Sequence, residues 1–73
     1  MKVLKSKDLS RPGNDCYIYE KISLVEEFDM YAVIVCEKVS GWAERNDVRV
    51  DHVSTDYSSA LKYFNEFVAI REN

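Results

Sequence analysis

The sequence holds one histidine and two cysteines in 73 residues. Cys16 and Cys36 stand 20 positions apart, inside apolar strand-like runs rather than in a CxxC pair. That pattern supplies no ligand set for a structural zinc. It reads instead as two reduced, buried thiols that pack as small hydrophobes. A disulfide between them requires a register that brings their Cα atoms to ~5.5 Å. No apolar run approaches the ~20 residues that span a bilayer. The opening segment, MKVLKSKDLSRPGND, has basic residues with no apolar stretch behind them. It therefore predicts neither a secretory signal nor an anchor, and the cytoplasm is the expected compartment. Internal repeats, low-complexity tracts and catalytic or ligand-binding signatures are also missing, so neither a cofactor nor a small-molecule substrate is expected.

What is present is the composition of an ordinary globular domain, 47% apolar and 32% charged. Its length lies near the lower size at which one core holds a fold without staples or partners, which brings assembly into consideration. The net charge of −3 is uneven: residues 1–15 carry +2 and the remainder −5. Such a body repels phosphate, and the short basic arm does not make a concentrated patch, so nucleic acid is not an expected partner.

The most informative run is MYAVIVCEKV, residues 30–39. Tyr31, Val33 and Val35 alternate with Met30, Ala32, Ile34 and Cys36, so both faces of this strand are apolar, as in a strand covered on two sides. Before it, CYIYEKISL at 16–24 places Cys16, Ile18, Ile22 and Leu24 on one face, with Glu20 interrupting them, and Tyr17, Tyr19, Lys21 and Ser23 on the other. Residues 25–29 read as a hairpin loop, too short for a crossover, which makes the two runs antiparallel neighbours. A shorter strand at 47–53, DVRVDHV, sets Val48 and Val50 against Arg49 and Asp51. Ser54, Thr55 and Asp56 offer N-caps to a helix over 57–71. Its apolar stripe is Tyr57, Ala60, Leu61, Phe64, Phe67 and Val68, with Ile70 at the margin.

The expected fold class is thus α+β: a three-stranded antiparallel meander with one C-terminal helix packed on one face. Residues 1–15 form an N-terminal arm and turn, the turn marked by Arg11-Pro12-Gly13-Asn14-Asp15, and residues 16–73 a single β-β-β-α domain. The arm either stays unstructured or adds a fourth strand at the edge. One helix covers one sheet face, which leaves the other for the arm or for a second molecule.

The stretch Val50-Asp51-His52-Val53-Ser54-Thr55-Asp56, running into Ala60-Leu61-Lys62-Tyr63-Phe64-Asn65, resembles the "v-x-d-i-S-t-d" strand-to-helix junction of an uncharacterised family of short clostridial proteins of unknown function. Tyr31-Ala32-Val33-Ile34-Val35 is similar to that family's "Y-G-I-x-I" strand, with Ala32 where the family tends to have glycine. The resemblance covers residues 30–67 and supplies no catalytic residues. It implies a small bacterial protein, Firmicutes or phage-associated, working in the cytoplasm.

Five residue groups invite a functional reading. His52 has Asp51 before it and Ser54 after it, but in a regular strand Asp51 and His52 point to opposite faces, and no carboxylate orients the imidazole. A hairpin closing symmetrically around residue 27 puts Glu20 opposite Ile34 rather than Glu37, so no carboxylate pair is expected. Trp42 opens a polar loop, where it either caps the small core or anchors a partner. Tyr17 and Tyr19 belong to a sheet face covered by the arm or by a copy of the chain. Glu26 and Glu27, with Asp29, Glu44 and Asp47, are solvated loop charges, or an acidic surface if the loops converge. The expectation is a non-enzymatic protein-protein interaction module, a homodimer formed through the sheet face opposite the helix, without metal, membrane or nucleic acid. The second expectation is a phage-type inhibitor that sets Trp42, Glu26 and Glu27 against a basic enzyme surface.

Overall fold

The computed structural model describes residues 1–41 and 45–72. Strands β1 (Lys2–Asp8), β2 (Arg11–Gly13), β3 (Cys16–Glu27), β4 (Met30–Gly41) and β5 (Arg45–Ser54) precede helix α1 (Tyr57–Glu72). All pairings are antiparallel, and the sheet runs β1-β3-β4-β5, with β2 pairing β3 beside β1. The α+β class and the meander of β3, β4 and β5 match the sequence reading. The three expected strands, or four with the arm, become five. The arm does add the edge: after a shift between Val3 and Lys5, β1 and β2 continue one register along β3, bridged where the Leu9 amide donates to the Glu20 carbonyl at 2.8 Å. The segment Arg11–Asp15 is a turn only at Asn14-Asp15, with Asp15 at φ 57°.

The loop expected at 25–29 contracts to two residues. β3 and β4 pair to their ends, from Cys16 with Gly41 to Glu27 with Met30, around Phe28-Asp29. Both turn residues have positive φ, 52° and 61°, the type I′ geometry whose twist matches that of paired strands. Neither is the Asn-Gly that such a turn prefers, which is why the sequence did not announce it.

Side-chain alternation then assigns the two faces. Ile22 and Leu24 of β3 with Val33 and Val35 of β4 lie fully buried beneath Ala60 and Phe64 of α1, joined by Leu9. Each such side chain contributes about 1.5–3 kcal/mol on leaving water. Asp56 proves to be the N-cap, its carboxylate accepting the amides of Ser58 and Ser59 at 3.3 Å each. Leu61, Phe67 and Val68 pack against the core as expected, Tyr63 joins them from outside the expected stripe, and Ile70 is exposed. Cys16 and Cys36 are free thiols on opposite faces, and Cys36 is exposed rather than buried.

Candidate functional site

Among the described residues, no element lies over the sheet face away from α1. The doubly apolar β4 explains it: Val33 and Val35 supply the covered side, while Met30, Ala32, Ile34 and Cys36 supply the other, where Met30 and Cys36 are exposed. From β3 come Tyr17 and Tyr19, their rings 4.6 Å apart and both exposed. From β5 come Val48, 71% exposed, Val50 and Val53. The arm lies in the plane of the sheet and does not cross this face. Val25 is deeply buried here, between Val3 and Ala32 in register. A shallow depression of about 340 Å³ has Tyr19, Lys21, Cys36, Lys38 and Val48 in its lining.

The helix-side face contains an ion-pair cluster that the sequence reading missed. The β3–β4 pairing centres between Phe28 and Asp29 rather than on residue 27, so Glu20 stands opposite Glu37 and not opposite Ile34. Glu20 is 1% exposed. One of its oxygens, Oε1, accepts from Arg11 Nη1 at 2.9 Å and lies 3.1 Å from Arg71 Nε, which ties β2 and the end of α1 to the sheet. Its Oε2 has no partner among the described residues. Glu37 accepts from Arg45 at 2.7 Å, and that hydrogen bond holds its carboxyl below the ordinary carboxylate range against the opposing effect of burial. The signal for this cluster was present in Glu20 itself, because a carboxylate on an apolar strand face demands a countercharge. Three guanidinium groups thus contact this carboxylate pair, Arg11 and Arg71 at Glu20 and Arg45 at Glu37.

His52 also departs from the expected geometry. A β-bulge between the Val33–His52 and Ile34–Val50 pairs inserts Asp51, so Asp51 and His52 both reach the helix side instead of opposite faces. His52 stacks on Tyr63 at 4.8 Å and 9°, and the Tyr63 hydroxyl lies 3.4 Å from Asp51, whose other oxygen accepts from Arg49 at 2.7 Å. Burial raises the Tyr63 phenol above its usual range, and the Asp51 charge adds to it. His52 Nε2 is buried without a partner among the described residues, and neither described depression includes this residue.

Glu26 and Glu27 meet at the β3–β4 hairpin end, lining a second depression of about 500 Å³ with Lys2 and Phe28. A hydrogen bond to Glu26 raises the Tyr31 phenol. Asp47, in β5, is paired with Glu37, seven residues along β4 from Met30, roughly 23 Å at about 3.3 Å per residue. The acidic groups at 26–29 and Asp47 therefore do not converge. Trp42, like Glu44, lies outside the described residues. Phe28, between Glu27 and Asp29, is 91% exposed, and the sequence reading did not single it out.

Among the described residues, no group of three or more His, Cys, Asp or Glu side chains is placed to hold a metal ion, and no helix is long and apolar enough to cross a membrane. The described residues form a small α+β domain with one sheet face bare. No family model, curated protein or solved structure matches it.

Proposed function

We propose that this chain is a non-enzymatic protein-binding module of the bacterial cytoplasm that self-associates through the sheet face opposite α1. The observation that carries the reading is β4, apolar on both faces with only one face covered. The molecule extends 41 × 24 Å in its two longer directions, so this face is on the order of the ~800 Å² per partner that a standard interface buries. Tyr17 and Tyr19 supply the aromatic anchors that such interfaces favour. An exposed, unpaired Cys36 suits a reducing compartment. The net negative body argues against nucleic acid, and the resemblance to short clostridial proteins supports an origin in Firmicutes or their phages.

Light scattering over a concentration series tests it. The chain should have at least twice its 8.5 kDa mass at tens of micromolar, and Tyr19→Lys, which adds a third cation beside Lys21 and Lys38, should lower that mass with the fold intact. A monomeric parent chain at those concentrations overturns the reading.

A second reading is favoured by Phe28. An aromatic ring projecting from a hairpin flanked by Glu26, Glu27 and Asp29 fits a basic-rimmed apolar pocket, as an inhibitor of a basic enzyme would present it.

A further inference from the structure

We propose that the free edge of β5 pairs with β5 of a second copy, antiparallel about Val48, to join two sheets into one. This rests on the self-association part of the reading above and goes beyond the face contact. Among the described residues β5 ends the sheet, and its residues 45–48 and 50 are all exposed, Val48 at 71% and Val50 at 58%. Its outward amides and carbonyls are a template for another strand.

Charge chooses the partner. The helix-side residues of β5 alternate in sign: Arg45, Asp47, Arg49, Asp51. In an antiparallel pair about Val48, Arg45 stands opposite Asp51 of the second copy and Asp47 opposite Arg49, and the symmetry repeats both contacts. Every charged position meets its opposite, and directly opposed unlike charges stabilise a pair while like charges destabilise it. Sliding the copy by two residues either way puts Asp47 against Asp47 or Arg49 against Arg49. Registers of odd offset are excluded because they mix the two faces of the joined sheet. In the single chain these charges satisfy one another along the strand, Arg49 with Asp51 at 2.7 Å and with Asp47 at 3.5 Å.

The opposite edge shows what a blunted strand looks like here. Lys2, Lys5 and Lys7 of β1 and Arg11 of β2 carry one sign along the helix side, and Pro12 has no amide to donate. Like charges repel a second copy, whereas the alternating row of β5 is complementary to itself. A pair joined at β5 keeps both helices on one side and merges the two bare faces into a single apolar surface on the other.

Two measurements test the edge. In a Cys36→Ser background, which removes the thiol cross-strand from position 48, Val48→Cys should give a covalent dimer on mild oxidation. Residues directly opposed in an antiparallel pair have Cα atoms about 4.5–5.5 Å apart, within disulfide reach. Separately, Asp47→Arg and Arg49→Asp should each weaken the edge contact by roughly tenfold or more, since each sets two like-charged pairs there. Mixed together, the two variants should form a heterodimer in which every pair is again opposite. Circular dichroism checks that each variant is folded. A dimeric parent chain whose position 48 does not cross-link and whose two variants do not recombine overturns the edge and leaves the face reading standing. A monomeric parent overturns both.

Discussion

Phe28 occupies a backbone conformation that its side chain does nothing to support. It lies at φ 52° in the β3–β4 turn, followed by Asp29 at 61°, and its ring is 91% exposed. The left-handed region costs a residue with a Cβ about 1–2 kcal/mol, and least for Asn and Asp, whose short polar side chains bond locally. So little of the ring is buried that its removal forfeits almost no apolar contact. Phe28→Asn should therefore stabilise the fold by about 1 kcal/mol, a rise in Tm of ~4–8 °C for a domain of this size. Urea unfolding should show a higher midpoint at an unchanged slope. Phe28→Ala separates backbone from ring: it keeps the Cβ, so its stability should stay within about 0.5 kcal/mol of the parent. If Phe28→Asn destabilises the chain, or if Phe28→Ala changes stability as much, the ring makes contacts that the reasoning denies. A strained turn kept for an exposed aromatic ring is what a binding tip requires, so the stabilised Phe28→Asn variant is also the reagent for the inhibitor reading.

Two further outcomes follow from the ion pairs. Replacing both Arg11 and Arg71 by Met strands the Glu20 carboxylate in the interior and should cost about 3–5 kcal/mol in chemical denaturation. Glu20→Gln should cost less, because both guanidinium groups are more than a third exposed and rehydrate; the reverse order would refute the tie. The Glu37 carboxyl sits below its ordinary value of 4.5 in the folded chain, so its contribution to stability is present above that value and is lost as pH falls through the lower, folded one. Arg45→Gln should flatten this acid limb and move the acid unfolding midpoint to higher pH. An unchanged midpoint removes Arg45 as the cause.

Much of the architecture was legible in period and punctuation. The alternation at 16–24 and 30–39, the 3.6-residue stripe after 57 and the caps before it are local patterns, and local patterns survive folding. The doubly apolar β4 carried more, since it indicated a sheet face that one helix does not cover. Register was not local. The reading centred the hairpin on residue 27 because Val25–Asp29 looks like a loop, whereas the strands pair up to Phe28-Asp29, and that displacement turned Glu20 from a neighbour of Ile34 into a neighbour of Glu37. Asp51 and His52 were misplaced for a similar reason: a bulge depends on the partner strand, and nothing in VRVDHV by itself sets one.

The sequence by itself determined the α+β class, the central position and two apolar faces of β4, and the capped helix that covers one of them, because each follows from residue period and short-range hydrogen bonding. Tertiary structure decided the rest. It placed residues 2–13 in the sheet rather than across its face, since unpaired edge amides gain more from a partner strand than polar arm residues gain from lying on valines. It brought Arg11 and Arg71 from either end of the chain onto one buried carboxylate, because a charge taken from water must be met by whatever guanidinium the fold can reach.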